Sequence, residues 1–469
     1  MKIEQIYTGC LSQGAYYIVS ENEAIVIDPL REIQPYIERA KADGVTIKYI
    51  LETHFHADFV SGHLDLAKAT GATIVFGPNA APNFEFHSAK DGEELTIGKI
   101  KMRVLHTPGH TMESTCYLLI NESGKEDALF SGDTLFIGDV GRPDLAQKAV
   151  AMTQEELAGL LYYSLREKIM PLPDSVVVYP AHGAGSACGK NMSKETTDLL
   201  GNQKAMNYAL RADMTKEEFI QEVTDGLLPP PGYFGMNVAM NKNGYDAIQE
   251  VMKRGLNPLS VAAFEVAANE TGVLVLDTRT AIEFSKQFIP NSISIGLEGQ
   301  FAPWVGSLIH DVKQRILLIT EPGKEEETVK RLARVGYDYV NGYLDGGIEA
   351  WKSAGKDIDS IGRITADEFE TEFAKNPIVI DVRKIAEFSG EHVENALSIP
   401  LDFLSENIEE FPKNQPFILH CAGGYRSIIA GSILKSKGFD NFVDVIGGYG
   451  AIAKTSVKRT DFVCPTTKK

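Results

Sequence analysis

Two segments of this chain, VLVLDTRTAIEF and IVIDVRKIAEF, carry the same markers at a fixed separation. Asp277 is matched by Asp381, Glu283 by Glu387 and Asn291 by Asn395, each pair 104 residues apart. Gly346–Gly347 is matched by Gly447–Gly448 at an offset of 101, so the second copy is about three residues shorter between those markers. Several markers in one order signal a duplicated unit. Each copy reads as strand, turn, helix, strand, loop, helix, the pattern of a small parallel α/β domain. The repeat therefore predicts two such domains, at 258–357 and 361–458, and leaves residues 1–257 to fold otherwise.

Residues 1–210 alternate short β runs with helices. YYIVS and AIVIDP read as paired strands turning at Glu21–Asn22, and IQPYIERAKADG as a helix stopped at Gly44. IKYILETH is a strand running into a histidine-rich loop, and VVVYPAH a buried strand that also ends in a histidine. A helix is expected near 153–168. The polar motifs fall at strand ends, where sites are usually built. Pro229, Pro230 and Pro231 cannot continue a helix. They mark a connector over 211–257 that includes a short helix around 244–255, and 459–469 is read as a C-terminal tail.

The formal charge of −18 disfavours a nucleic-acid partner or an anionic membrane, since phosphates repel such a chain. No apolar run is long enough to span a bilayer, and MKIEQIYTGC lacks the basic and apolar regions of a signal peptide. The five cysteines are odd in number and widely spaced, with no CxxC, so neither a disulfide framework nor a structural zinc site is expected. Free thiols in a cytoplasmic protein, with a homo-oligomeric state, are the expectation.

The strongest motif is Thr53-His54-Phe55-His56-Ala57-Asp58-Phe59, followed by His110 in TPGHT, Asp133 in SGDT and His182 in PAHG. Imidazole and carboxylate are the usual ligands of zinc and iron. In an extended loop, residues i and i+2 share a side, so His54 and His56 can converge. A lone histidine would be read as a structural residue. Here five of the ten histidines (54, 56, 63, 110 and 182) lie near the pattern.

Together these motifs resemble the metallo-β-lactamase superfamily over about residues 1–210. The resemblance implies an αββα sandwich with a metal site at one edge, so the whole chain is expected to be multidomain α/β. Dinuclear members carry HxHxDH, whereas Phe59 stands at the last position here. An apolar ring cannot ligate a metal, which favours a mononuclear centre. With GDVGRPDL, the pattern resembles the persulfide dioxygenases, which implies one Fe(II) per chain held by His54, His110 and Asp133. A two-histidine, one-carboxylate face leaves positions open for O₂. His56, Asp58 and His182 would then orient ligands or reactants, and spacing does not decide whether His56 is a fourth ligand. His63 is read either as a supporting or as a structural residue.

Arg142 in GRPDL is the candidate for gripping a substrate carboxylate, with a local ion pair to Asp139 or Asp144 as the alternative. Cys188 either faces the metal cavity or is a buried small hydrophobe.

The second diagnostic run is His420-Cys421-Ala422-Gly423-Gly424-Tyr425-Arg426-Ser427, between an apolar strand and a helix. There a cysteine receives backbone N–H groups and the positive end of the helix dipole, and Arg426 adds a cation. Such surroundings stabilise a thiolate and make it a nucleophile. This CxxxxR loop, with Asp381 upstream, resembles the rhodaneses, which implies that Cys421 carries a persulfide. The first copy also resembles a rhodanese, but its loop reads LLITEPGKEEE and holds no cysteine. It is expected to be an inactive scaffold or docking surface.

The resemblance as a whole is to bacterial persulfide dioxygenase–rhodanese fusions. It implies oxidation of a low-molecular-weight thiol persulfide by O₂ to sulfite, and sulfur transfer on Cys421 linking sulfite and thiosulfate. The alternatives are a zinc thioester hydrolase of the glyoxalase II type and a non-catalytic sulfur relay.

Overall fold

The computed structural model describes residues 1–145, 147, 151–227 and 229–463, so Cys464 and the end of the expected tail lie outside the described residues. Contacts divide the chain into two units, Met1–Glu250 with Leu332–Tyr337, and Val251–Arg331 with Asp338–Lys469.

In the first unit the described residues form two six-stranded sheets. One runs in chain order through Lys2–Thr8, Gln13–Ser20, Glu23–Ile27, Thr46–Leu51, Thr73–Phe76 and His87–Ser88. The expected hairpin is there: Ser20 pairs with Glu23, and Glu21 takes the left-handed backbone that so tight a turn needs. The other sheet is ordered Asp198–Leu199, Val177–Pro180, Glu126–Gly132, Thr115–Ile120, Ile100–His106, Glu94–Ile97.

Alternation along the strands splits the apolar side chains between two faces. Ile18, Ile25, Ile27 and Val75 of one sheet meet Met102, Val104, Leu119 and Phe130 of the other. The outer face of the first sheet packs on the helices Gln34–Asp43 and His63–Thr70, through residues such as Tyr36 and Leu66. The second packs on Gln154–Ser164 and Lys216–Thr224 through Leu161 and Phe219. Helix, sheet, sheet, helix is the expected αββα sandwich. Each fully buried Leu, Ile or Phe contributes about 1.5–3 kcal/mol.

The prolines lead into a helix, Phe234–Asn243, which belongs to this unit, with Tyr233 and Phe234 buried and Asn237 and Asn241 buried beside them. The short helix expected around 244–255 is Ile248–Gly255.

The second unit contains two five-stranded parallel sheets of identical strand order. Pro258–Leu259, Val340–Leu344, Arg315–Ile319, Val273–Asp277 and Ile293–Ser294 make one. Arg363–Ile364, Phe442–Val445, Phe417–His420, Ile378–Asp381 and Leu397–Ser398 make the other. The duplication holds in detail. Asp277 accepts from Arg279, and Asp381 from Arg383, through Nε and Nη2, and each Nη2 also donates to a carbonyl, of Gln287 and Glu391 respectively. Asn291 and Asn395 both take left-handed backbone, with φ of 67° and 64°.

Among the described residues, no helix is long and apolar enough to cross a membrane.

Candidate metal centre and sulfur-transfer loop

The metal-centre residues lie at the ends of strands whose cores fix their backbone. Thr46–Leu51 delivers Thr53 and His54, Glu126–Gly132 delivers Asp133, and Val177–Pro180 delivers His182. Gly132 has φ +53°, and a Cβ there would lie 2.7 Å from Thr53 Cβ, so only glycine lets these strand ends close on each other.

His54, His110 and Asp133 come together, their ligand atoms within 4.8 Å of one another and all buried. His54 Nε2 lies 3.8 Å and His110 Nε2 3.4 Å from Asp133 Oδ2. The opposite ring nitrogens are engaged: His54 Nδ1 is 3.0 Å from Thr53 Oγ1, and His110 Nδ1 donates to the Arg142 carbonyl at 2.8 Å. Both rings thereby turn Nε2 toward one point, the usual way a protein orients metal-binding imidazoles. Neither oxygen of Asp133 has a hydrogen-bond partner, although the side chain is buried. A buried carboxylate left this way costs several kcal/mol unless a cation meets it, so these residues fit a metal ion.

More donors gather than the sequence alone brought together. His56, Asp58 and His182 form a second cluster, and Asp133, His182 and Cys188 a third. His182 Nε2 is 3.5 Å from Asp58 Oδ2 and 3.7 Å from Asp133 Oδ1. Phe59 is fully buried with its ring 4.3 Å from that of His56. Cys188 does face the cluster. Burial, then the Asp58 and Asp133 carboxylates, raise its thiol well above the ordinary range. A bound cation would reverse the sign of that local field.

His56 answers to a second set of carboxylates. Its Nε2 is 3.1 Å from Asp28 Oδ1 and 3.7 Å from Glu52 Oε2. Burial opposes its protonation, but Asp28 and then Glu52 and Asp58 carry it up to about 9. Asp28 also accepts from the Thr53 N–H and hydroxyl, both at 2.8 Å. Sequence reading missed Asp28. Its one local sign is a polar residue closing the apolar run AIVI. His63 is buried with Nδ1 3.6 Å from Glu52 and its ring against Phe84 and Tyr245, and burial lowers its pKa to about 3.

The motif loop is held from outside as well. Asn241 Nδ2 donates to the carbonyls of His56 and Phe59, and its Oδ1 accepts from the Ser61 N–H, all at 2.8 Å. No local signal marked Asn241.

Arg142 is buried and pairs with Asp144 through both Nε, at 2.6 Å, and Nη2, at 2.7 Å. The local ion pair is thus formed, and any substrate carboxylate must compete with it.

In the second unit Cys421 is 1% exposed, at the end of Phe417–His420. The Gly424 N–H donates to its Sγ at 3.1 Å and Ser427 Oγ lies 3.4 Å away. Gly424, with φ +97°, makes the turn into the helix Tyr425–Ser436. Arg426 forms a bidentate pair with Glu387, at 2.6 and 2.8 Å, so its charge reaches the sulfur already partly balanced. At the matching place in the first repeat, Thr320 Oγ1 lies 3.2 Å from Glu325 and there is no thiol.

A family model for the metallo-beta-lactamase superfamily matches residues 8–182, and one for the rhodanese-like domain matches 260–354 and 365–455. A hydroxyacylglutathione hydrolase of Polaromonas sp. is 31% identical over 188 residues, which is 39% of this chain and 66% of that protein. The chain thus spans just under two thirds of that relative's length. The human mitochondrial persulfide dioxygenase ETHE1 is 28% identical over 221 residues, 47% of this chain and 78% of that protein. A crystal structure of a metallo-beta-lactamase from Staphylococcus aureus subsp. aureus COL superposes with a TM-score of 0.65 at 31% identity, covering 73% of this chain and 98% of that one. With the αββα sandwich, its strand-end donors and the duplicated parallel domains, the chain belongs to the metallo-beta-lactamase superfamily and carries two rhodanese-like domains after that fold.

Proposed function

We propose that this chain oxidises a low-molecular-weight thiol persulfide with O₂ and one water to sulfite, the free thiol and two protons, and that Cys421 exchanges sulfane sulfur between donor and sulfite to give thiosulfate. The observation that carries this reading is the pairing of two features in one chain. An apolar ring, Phe59, replaces the last ligand of the dinuclear motif, and a thiol sits in a backbone cradle at Cys421. The likeness to a persulfide dioxygenase over 221 residues supports it.

One Fe(II) held by His54, His110 and Asp133 would supply the oxygen chemistry. The protein's part is orientation of the groups that would hold the metal. Thr53 and the Arg142 carbonyl fix the imidazoles, Asn241 fixes the loop, and Phe59 closes one side to solvent. At the second centre, a persulfide on Cys421 gives its outer sulfur to sulfite. The bond between the two sulfurs breaks, one to the sulfite sulfur forms, and the Cys421 thiolate leaves. The Gly424 N–H stabilises that thiolate.

A second reading, a zinc-dependent thioester hydrolase, is favoured by the His56–Asp58–His182 cluster, which offers a second metal three donors. Metal analysis coupled to O₂ uptake separates the two. We expect near-stoichiometric iron in anaerobically purified protein, persulfide-dependent O₂ consumption, and loss of both in His110→Ala. Two zinc ions per active chain with no O₂ consumption would sink the oxidative reading.

A further inference from the structure

The first repeat has no thiol, yet it touches the second beside the loop that carries Cys421. Tyr425 directly follows Gly424, whose N–H holds Cys421 Sγ at 3.1 Å. Its side chain reaches into the first repeat, where the hydroxyl donates to the Gly296 carbonyl at 2.8 Å. The ring lies against Gly296 and Gly299: a Cβ on either would come within 3.4 Å of it. Gly299 also has φ +104°, a backbone that other residues rarely adopt, so the seat is shaped for a flat ring.

The seat is itself braced. Arg331 Nη1, from the helix Glu325–Arg334 of the first repeat, donates to the Leu297 carbonyl at 2.6 Å. A second anchor lies further along the helix Tyr425–Ser436, where Ser432 Oγ accepts from the Ser294 N–H at 3.0 Å. Two contacts therefore tie that helix to one stretch of the first repeat, residues 294–299.

We propose that the first repeat is a positioning element for the second: by gripping Tyr425 it fixes the turn at Gly424 that aims a backbone N–H at the Cys421 sulfur. The inference rests on the sulfurtransferase reading of Cys421. The physical reason is leverage. Gly424 and Gly423 carry no side chains, and the cradle they form is the most deformable part of the loop. A ring fixed one residue beyond the turn removes that freedom, and an aligned donor stabilises a thiolate better than a wandering one. Tyr425 acts through the Gly424 turn and its side chain sits on Gly296 and Gly299, so it is a positioning residue rather than a catalytic one.

The test uses full-length protein carrying Tyr425→Phe or Tyr425→Ala. Two quantities are read: thiosulfate formation from a persulfide donor and sulfite, and the rate of Cys421 alkylation by iodoacetamide against pH, followed on the Cys421 peptide by mass spectrometry. Removing the hydroxyl should lower kcat for thiosulfate about threefold and removing the ring tenfold or more. In both, the alkylation profile should move to higher pH, while the profile at Cys10 stays in place. A role confined to stability would lower the melting temperature without moving that profile. If Tyr425→Ala does not fold, Tyr425→Phe decides alone. An unmoved alkylation profile in the folded variants overturns the proposal. If wild-type protein makes no thiosulfate, the sulfurtransferase reading fails, and the alkylation profile still reports whether the first repeat positions the loop.

Discussion

Replacing Asn241 by leucine should loosen the metal centre from a distance. The side chain is of similar size, so packing changes little, but three hydrogen bonds of 2.8 Å disappear at once. Their partners are the backbones of His56, Phe59 and Ser61, in a loop where all three residues are buried. A net contribution of about 0.5–1.5 kcal/mol per bond gives about 1.5–4.5 kcal/mol, and stranding buried groups pushes the cost toward the upper end. Because the three bonds clamp one loop, the loss falls largely on the geometry of His54. At about 1.4 kcal/mol per tenfold, metal affinity should fall by roughly tenfold to a thousandfold. Competition with a chelator of known affinity measures this, alongside O₂ uptake and the melting temperature with metal present. Metal affinity within twofold of wild type and an unchanged melting temperature would refute the reasoning. The bonds would then be dispensable to the loop.

Three further outcomes follow from the same geometry. Cys421→Ser should leave O₂ uptake intact while sulfite accumulates in place of thiosulfate, since a hydroxyl holds no sulfane sulfur; thiosulfate output equal to wild type would move the transfer step elsewhere, with Cys188 in the metal cluster the thiol to replace next. Arg142→Ala should raise KM for an acidic persulfide such as that of glutathione about ten- to a hundredfold. Asp144→Asn, which removes the carboxylate that competes for the guanidinium, should lower it, and unchanged kinetics in both would leave the pair a purely structural one. Asp444 pairs with Arg363 at 2.9 Å, yet burial pushes its carboxyl up to about 6, with Ser427 and Arg363 pulling the other way. A folded value above the unfolded value of about 4 means its stabilising contribution is complete below about 4 and lost as pH rises through about 6. Asp444→Asn should flatten the pH dependence of the second unit's unfolding over that window, as read by melting from pH 4 to 7.

What the sequence determined by itself was whatever depends on neighbours along the chain. Alternation and turn residues gave the hairpin at Glu21–Asn22. The 104-residue offset gave two parallel domains whose Asp277–Arg279 and Asp381–Arg383 pairs are superimposable in kind. The candidate donors His54, His110 and Asp133 were legible because each lies in a short polar motif in a loop after a strand, where a polar side chain can be presented without interrupting a core. The cysteine loop was legible for the same reason, its glycines and its following helix being local.

Tertiary structure decided the rest, because those contacts join residues that no local pattern relates. Asp28 meets Thr53 and His56 only because two strands lie side by side in one sheet. Asn241 reaches the metal loop across 180 or more residues, from a segment that proline content marks as a connector. Whether Arg142 is free or paired with Asp144 depends on a loop conformation that composition leaves open. Whether His56, Asp58, His182 and Cys188 gather into further clusters depends on which way each backbone turns at its strand end. The grip of the first repeat on Tyr425 is of the same kind. A missing cysteine told only that the first repeat has no thiol at the matching position, and its contacts show where it meets the loop that carries Cys421.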